Sequence, residues 1–156
     1  MPTPIIRIPT INDGEAVFHL VKSSPPLDLN SQYYYHIICN DFSETSVIIE
    51  EQNKIIAFCS AYFKPKDSKV LFIWQIAVET EYRRQAIATK ILNHLKKNLN
   101  VQIIETTISP SNKASQKLFE SFAKQHKATI NKEIFLSASN FGENNHEEEI
   151  LYKIKL

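Results

Sequence analysis

Residues 70–88 constrain the fold of this chain more than any other segment. They read Val-Leu-Phe-Ile-Trp-Gln-Ile-Ala-Val-Glu-Thr-Glu-Tyr-Arg-Arg-Gln-Ala-Ile-Ala, an apolar run followed by a short polar turn and the first residues of a helix. Two of the chain's three arginines, Arg83 and Arg84, are adjacent in that turn. A strand that leads into the open N-terminus of a helix presents free N–H groups to an anion, and arginine adds bidentate donors. The segment therefore predicts a site for a nucleotide or a coenzyme pyrophosphate.

The composition predicts a single globular domain that covers residues 1–156. Hydrophobic residues make up 43% of the chain and charged residues 22%, which is ordinary for such a domain. The net charge of +1 gives no electrostatic footprint for nucleic acid. No apolar run is long enough to span a membrane, and the first residues do not form a secretion signal. We therefore expect a cytoplasmic protein without a nucleic-acid or membrane partner.

The cysteines and histidines do not have the spacing of a metal site. Cys39 and Cys59 stand alone in their segments, and most of the histidines are scattered over predicted helices. We expect the two cysteines to be free, buried thiols in a reducing compartment, and we expect no metal.

Hydrophobic periodicity predicts the element order β-α-α-β-β-β-α-β-α-β-β. Gln52-Asn53 is a natural hairpin turn, and the strand over residues 69–78 is apolar enough to lie in the centre of a sheet. Ser31 is expected to cap the second helix. The third helix, after Arg84, has an apolar row that includes Ile91. The fold class is therefore α/β, a mixed central sheet of about seven strands flanked on both faces by about four helices, with a cleft where parallel strands diverge.

The order and the turn together resemble the GCN5-related N-acetyltransferase (GNAT) superfamily. In that superfamily the pattern Arg/Gln-x-x-Gly-x-Gly/Ala follows the fourth strand and wraps the pyrophosphate of coenzyme A. The matching residues here are Arg83-Arg84-Gln85-Ala86-Ile87-Ala88, with alanine in place of the central glycine. We expect Ala86 to be tolerated because it would have the ordinary helical φ and ψ of a first turn.

A narrower resemblance is to the L-2,4-diaminobutyrate acetyltransferase family of ectoine biosynthesis. Four blocks match that family in order: Asp28-Leu29-Asn30-Ser31-x-Tyr33-x-Tyr35 with Cys39-x-Asp41-Phe42; Phe72-x-Trp74-Gln75-x-x-Val78; residues 105–119; and His146-Glu147-x-Glu149. The resemblance implies acetyl transfer from acetyl-CoA to the 4-amino group of L-2,4-diaminobutyrate, and it implies a homodimer.

The resemblance also implies which residues hold the coenzyme. A backbone N–H of the fourth strand, near Ile76 or Val78, would stabilise the oxyanion. Asn112 and Ser115, at the start of the last helix, would contact the pantetheine arm, although a helix N-cap explains Asn112 equally well. The full set assigned to the coenzyme is Ile76, Val78, Arg83, Arg84, Gln85, Ala86, Ala88, Asn112 and Ser115.

Three residues are candidates for binding the amino-acid acceptor. Asp28 would bind an ammonium group, or it is an exposed loop acid or a cap. Trp74, the only tryptophan, would wall the pocket and lower the pKa of the ammonium by desolvation, or it is a core aromatic. Tyr33 and Tyr35 could hydrogen-bond the substrate, but on an amphipathic helix one of them is expected in the core.

The loop over residues 144–149 is the candidate for proton transfer. His146 or Glu148 could take the proton of the amine, directly or through water, or the loop is simply a solvated charge run. Many superfamily members place a tyrosine where this chain has Phe119, so we assign no side-chain acid to the leaving thiolate. Direct attack in a ternary complex needs no covalent intermediate.

Two other functions remain open from the sequence. One is an acetyltransferase for another small diamine or amino acid. The other is an acyl-CoA-binding sensor without turnover, which Ala86 and Phe119 motivate.

Overall fold

A computed structural model of the chain describes residues 2–156. The seven strands of this part are β1 Ile5–Arg7, β2 Val47–Glu51, β3 Lys54–Lys64, β4 Asp67–Val78, β5 Ile103–Ile108, β6 Thr129–Leu136 and β7 Glu149–Lys155. Its four α-helices are α1 Gly14–Lys22, α2 Gln32–Asp41, α3 Ile87–Leu99 and α4 Lys113–Gln125. Short 3-10 turns lie at Ile11–Asp13, Ser43–Thr45, Thr80–Tyr82 and Ala138–Phe141.

The strands form one mixed sheet in the order β1-β2-β3-β4-β5-β7-β6. The pairs β1–β2, β2–β3, β5–β7 and β6–β7 are antiparallel. The chain runs from β4 through α3 to β5, the next strand in the sheet. The predicted element order and fold class are confirmed, and β4 is the middle strand, as its apolar sequence predicts.

The contacts divide the chain into two compact units. The first contains the described residues up to Phe63 together with Ile73–Asn100, and the second contains Lys64–Phe72 and Val101–Leu156.

The core of the first unit lies where α1 and α2 pack on the sheet. Its buried members are Val17, Leu20, Val21, Tyr35, Ile38, Cys39, Ile48, Phe58 and Ala77. The α1 and α2 residues in this set recur three or four positions apart, which places them on one face of each helix. Cys39 and Cys59 are free and buried, as predicted, and burial raises the pKa of the Cys39 thiol to about 12.

Gly14, at the start of α1, allows α2 to come close. A Cβ atom at this position would lie 2.3 Å from Nδ1 and 2.8 Å from Cα of His36. These distances are shorter than any ordinary van der Waals contact, so a side chain at residue 14 would push α2 away from α1.

The β2–β3 hairpin turns at the predicted dipeptide. Gln52 and Asn53 have φ angles of 50° and 63°, and Glu51 lies opposite Lys54 in the register. Positive φ at both central residues is typical of the tight turns whose twist matches that of a hairpin.

The second unit has its own buried residues. On α4 they are Phe119, Phe122 and Ala123, at helical spacing. On β5 and β7 they include Ile104, Ile108, Leu151 and Ile154. Phe122 is completely buried, so α4 contributes a large apolar side chain to this core.

Arg7 on β1 binds two carboxylates of the first unit. Its Nε donates to Glu50 at 2.8 Å, and its terminal nitrogens donate to the two oxygens of Asp13 at 2.8 and 2.9 Å. Asp13 also accepts the Thr10 N–H at 2.6 Å in a capping box. Partial burial alone raises the pKa of the Asp13 carboxyl, but the hydrogen bonds from Arg7 and Thr10 outweigh burial and leave the pKa below its ordinary value of 3.8.

We expect Asp13→Asn to lower the free energy of unfolding by about 1–3 kcal/mol at neutral pH, because it removes charge-assisted hydrogen bonds. A carboxyl with a lowered pKa stabilises the fold above its unfolded pKa and loses that effect as the pH falls through its folded pKa. The gap between wild type and variant should therefore shrink below about pH 4. Urea unfolding at neutral and acidic pH measures this gap. Glu15→Gln, on an exposed side chain, is the control, and equal stabilities at neutral pH would contradict the assignment.

Candidate functional site

The turn after β4 has an unusual backbone. Arg83 is extended, with φ −69° and ψ 156°, but Arg84 has φ 64° and Ala86 has φ 57°. Both positive values lie in the left-handed region that favours glycine. Ala86 is the N-cap of α3, and the helix begins at Ile87.

The predicted conformation of Ala86 is therefore wrong. The sequence suggested a first helical turn with ordinary angles, whereas the residue is left-handed with φ 57° and ψ 26°. A Cβ atom in this region contacts the following carbonyl oxygen and costs about 1–2 kcal/mol. The glycine of the superfamily pattern matches this backbone, and alanine is strained in it.

The same turn can bind an anion. The first helical hydrogen bond of α3 joins the Lys90 N–H to the Ala86 carbonyl at 2.9 Å, so the N–H groups of the three residues between them have no acceptor within the helix. The methyl side chain of Ala86 cannot cap them. Arg83, Arg84 and Gln85, just before the helix, are exposed. Charge, free donors and the positive end of the helix dipole thus coincide, as a pyrophosphate requires.

Two side chains of this turn are anchored to nearby carbonyls. Nε of Arg83 donates to the Val78 carbonyl at 3.1 Å, and Nε2 of Gln85 donates to the Glu81 carbonyl at 3.3 Å. The Arg83 guanidinium is thereby held beside the end of β4. Ile76 and Val78 are half-buried on that strand, and Ala88 is half-buried in the first turn of α3.

The Asp28 loop is fixed to β4 by a buried amide. Nε2 of Gln75 donates to the Asp28 carbonyl at 2.6 Å, and Oε1 of Gln75 accepts from the Tyr35 hydroxyl at 3.0 Å. The same hydroxyl accepts the Asn30 N–H at 3.4 Å. Gln75 is 6% exposed, so these bonds are protected from water. Asp28 is exposed at the end of this network.

Trp74 is not a core aromatic. Its side chain is 44% exposed, and its ring meets Tyr34 and Tyr62 edge-on, with centroids 5.3 and 5.9 Å away. Edge-to-face packing of this kind holds the indole in one orientation. Tyr33 is 74% exposed whereas Tyr35 is fully buried, which confirms that one of the two belongs to the core.

The Tyr34 hydroxyl is buried beside this aromatic group. It has no hydrogen-bond partner within residues 2–156, and burial raises its pKa, so the group stays protonated. The aromatic group of Trp74, Tyr34 and Tyr62 is therefore mainly apolar on the side that Trp74 turns away from solvent.

In the second unit, His146 is held from two directions. Its ring stacks on Phe141 at 3.9 Å with an interplanar angle of 19°, and Nδ1 lies 2.6 Å from the Glu147 carbonyl. A carbonyl only accepts, so Nδ1 is the protonated nitrogen and Nε2 is the basic one in the neutral ring. His146 and Glu148 are half-buried, and β7 begins only at Glu149, so both predicted residues lie in the loop.

Glu147, between those two residues, ties the loop to the start of α4. Its carboxylate accepts from the Ser111 hydroxyl and from the Ser111 N–H, the latter at 3.2 Å. The loop is therefore ordered by side chains on both sides of His146.

Asn112 is the N-cap of α4, as the simpler interpretation predicted. Its Oδ1 accepts the Ser115 N–H at 3.2 Å. This bond connects the two residues assigned to the pantetheine arm. Phe119, one turn further, is 3% exposed and part of the core. Its phenyl ring has no hydrogen-bond donor.

A cleft of about 610 Å³ in the first unit contains none of the predicted site residues. It is lined by Arg7, Asp13, Ala16, His19, Leu20, Ser23, Glu50, Asn53, Lys54, Ile55 and Glu79. Arg7 pairs there with Asp13 and Glu50, and Lys54 pairs with Glu79, so the charges of this cleft largely satisfy one another.

Residues 2–156 contain neither a candidate metal cluster nor a helix that could span a membrane. No group of three or more His, Cys, Asp or Glu side chains there could hold a metal ion. No helix of the same residues has the length and apolar character needed to cross a membrane.

No role in a site was predicted for several residues that support these sites. They are Gln75, Tyr34, Tyr62, Ser111 and Phe141. Gln75 carried a signal, a single amide within an apolar strand, because such a group is stable in a core only when it is hydrogen-bonded. The stacking of Phe141 on His146 had no sequence signal, since it arises from a 3-10 turn in a polar loop.

Known proteins with similar sequences are acetyltransferases. The sequence model described as the acetyltransferase (GNAT) family matches residues 14–123. The chain is 41% identical to an L-2,4-diaminobutyric acid acetyltransferase of Virgibacillus pantothenticus, over 94% of each chain. It is 36% identical to the enzyme of the same description from Streptomyces coelicolor, over 94% of this chain and 89% of the relative.

Solved structures agree. The diaminobutyrate acetyltransferase EctA of Paenibacillus lautus, in complex with its substrate L-2,4-diaminobutyric acid and coenzyme A, has a TM-score of 0.95 and 35% identity, over 99% of this chain and 96% of that one. The ribosomal-protein-S18-alanine N-acetyltransferase of Escherichia coli, at 17% identity and a TM-score of 0.72 over 98% of this chain and 93% of that one, shares the fold.

We expect Ala86→Gly to raise the free energy of unfolding by about 1 kcal/mol, because relief of left-handed strain exceeds the entropy that glycine adds to the unfolded chain. Ala88→Gly is the matched control inside α3, where glycine should instead destabilise by about 0.5–1 kcal/mol. Chemical denaturation of both variants measures the difference. A loss of stability in Ala86→Gly would mean that residue 86 is not left-handed.

Proposed function

We propose that this chain, which belongs to the acetyltransferase (GNAT) family, transfers the acetyl group of acetyl-CoA to the 4-amino group of L-2,4-diaminobutyrate. The product is N4-acetyl-L-2,4-diaminobutyrate, an intermediate of ectoine biosynthesis. The observation that carries the proposal is the agreement, over nearly the whole chain, with a solved enzyme that holds this substrate and coenzyme A. The chain is an N-acetyltransferase that uses acetyl-CoA as co-substrate.

The reaction requires a neutral amine. The acceptor is an ammonium group with a pKa of about 10, so its neutral form lies roughly 4 kcal/mol uphill at neutral pH. The enzyme must lower that pKa or supply a base. The neutral amine then forms a C–N bond with the thioester carbon, the C–S bond breaks as the thiolate leaves, and the nitrogen loses one further proton to solvent to give the amide. Without a side-chain acid at Phe119, the thiolate takes its proton from solvent.

Residues of the turn after β4 hold the coenzyme. The exposed Arg83, Arg84 and Gln85 bind its pyrophosphate together with the first N–H groups of α3, near Ala86 and Ala88. Support comes from the uncapped helix start and from the anchored guanidinium of Arg83. A backbone N–H near Ile76 or Val78 is assigned to the oxyanion, and Asn112 and Ser115 are assigned to the pantetheine arm.

The amino-acid acceptor is assigned to Asp28, Tyr33 and Trp74. The loop of Asp28 is fixed through Gln75, which reduces the entropy lost when its carboxylate binds an ammonium group. The Trp74 indole is held by Tyr34 and Tyr62 and exposes an apolar face, which would desolvate the ammonium and lower its pKa.

Proton removal is assigned to His146, with Glu148 as the second candidate. The contact of Nδ1 with the Glu147 carbonyl leaves Nε2 as the basic nitrogen, and the stacked Phe141 fixes the ring plane. Glu148 is half-buried in the same loop and could act through water.

The remaining parts of the proposal concern assembly and location. We propose that residues 1–156 form a single N-acetyltransferase domain, that the protein is a homodimer and that it works in the cytoplasm. The two free, buried cysteines support the last point, because reduced thiols persist in a reducing compartment.

Thiol release from acetyl-CoA with purified protein tests the function. L-2,4-diaminobutyrate should be preferred over ornithine, lysine and putrescine, and the product should be acetylated at the 4-amino group. Preference for another amine would leave an acetyltransferase with a different acceptor. Coenzyme binding without thiol release for any acceptor would instead indicate a sensor.

We expect His146→Gln to lower kcat by about 10²–10⁴-fold, the usual contribution of a general base, while coenzyme A binds with unchanged affinity. His19→Gln is the control, since His19 is exposed on α1. A parallel Glu148→Gln variant separates the two candidates. Wild-type kcat in His146→Gln together with a large loss in Glu148→Gln would move the role of base to Glu148.

A further inference from the structure

The turn that carries Arg83 is strained without the help of glycine. Arg84 and Ala86 both have left-handed backbones, which side chains with a Cβ atom disfavour. Such a conformation persists only where surrounding contacts determine it. The question is which contacts hold the turn before any coenzyme binds.

Backbone hydrogen bonds within the segment end before the strained residues. The Tyr82 N–H donates to the Glu79 carbonyl at 2.8 Å, and the Arg83 N–H donates to the Thr80 carbonyl at 3.3 Å. These bonds form the 3-10 turn that precedes Arg84. They define where the strained residues begin but not how the 3-10 turn is oriented.

The orientation is set by contacts with the β2–β3 hairpin, about 30 residues earlier in the chain. The Tyr82 hydroxyl donates to the Glu51 carboxylate at the end of β2. The Glu79 N–H donates to the Ile56 carbonyl at 2.8 Å, and Nζ of Lys54 lies 3.8 Å from Oε2 of Glu79.

These contacts differ in strength. The Lys54–Glu79 pair is long, and the lysine side chain is 59% exposed, so water screens it and it contributes little. The Tyr82–Glu51 bond has a charged acceptor, and both residues are half-buried. It also acts on the residue that directly precedes Arg83.

We propose that Glu51 is a positioning residue for the coenzyme, acting through the Tyr82 hydroxyl to orient the turn that carries Arg83. The proposal rests on the proposed function, in which this turn binds the pyrophosphate. Glu51 touches neither substrate; its effect on the reaction passes through Tyr82.

The state of the Tyr82 hydroxyl suits this contact. The hydrogen bond to Glu51 raises the pKa of Tyr82 above its ordinary value, and the charges of Glu51, Glu81 and Glu79 act in the same direction. The hydroxyl is protonated at neutral pH with or without this shift, so it can donate to the carboxylate.

Equilibrium binding of coenzyme A to the full chain tests the proposal. Tyr82→Phe and Glu51→Ala should each raise the Kd for coenzyme A about five- to tenfold, less than the full effect of a charge-assisted hydrogen bond, because the bond acts on the coenzyme only through the turn. Because both changes remove the same hydrogen bond, the double variant should bind coenzyme A no more weakly than the single variant with the higher Kd. Glu51→Gln keeps an acceptor oxygen without the charge, so it should raise the Kd less than Glu51→Ala does.

Glu50 supplies the matched control. It is the adjacent residue on β2, but its carboxylate binds Arg7 instead of Tyr82. Glu50→Ala should therefore lower the stability of the fold and leave the Kd for coenzyme A unchanged. Lys54→Ala should change the Kd less than twofold, because the pair with Glu79 is exposed.

The outcomes separate the two hypotheses. In one outcome, Glu51→Ala and Tyr82→Phe bind coenzyme A with wild-type affinity, while Arg83→Ala binds it more weakly. This result would overturn the role of Glu51 and leave the proposed function intact. Equal losses in Glu50→Ala and Glu51→Ala would show a general loss of stability and would also overturn it. Absence of coenzyme A binding by the wild-type chain would overturn the proposed function together with this inference.

Discussion

One buried amide determines the arrangement of the first unit. Gln75 lies on β4 and joins Tyr35 of α2 to the carbonyl of Asp28, so a strand, a helix and a loop share one hydrogen-bond network. An unpaired buried amide costs about 1–3 kcal/mol, and each of these segments therefore stabilises the position of the others. Trp74, the preceding residue, then points to the opposite side of the strand and remains partly exposed.

Scarcity of glycine shapes the other end of β4. The chain contains two glycines, and neither lies in the turn where the backbone becomes left-handed at Arg84 and Ala86. A glycine would make this geometry intrinsically acceptable, whereas alanine requires support from elsewhere. The β2–β3 hairpin provides it through Glu51 and Tyr82. In the proposed coenzyme site, the strained turn therefore depends on a hairpin that is distant in the sequence.

Periodic and local features were predictable, and single backbone angles were not. The element order, the hairpin at Gln52-Asn53 and the cap at Ser31 were all confirmed, since each depends on side-chain spacing or on one residue's own chemistry. The predicted backbone angles of Ala86 were wrong. A superfamily pattern shows that glycine is usual at this position, but it does not show which φ the residue adopts. The short helix Ala138–Phe141 was not foreseen, because its few residues lack a recognisable period.

The sequence by itself determined the fold class, the family resemblance and the segments that carry the chemistry. Hydrophobic spacing and ordered motifs are properties of the chain alone, so both can be identified without knowing the tertiary contacts. Tertiary structure decided the exposure and the partners of each candidate side chain. Exposure of Trp74 and the partner of Glu147 both depend on residues distant in the sequence. Pairings of this kind are set by packing, which no local pattern encodes.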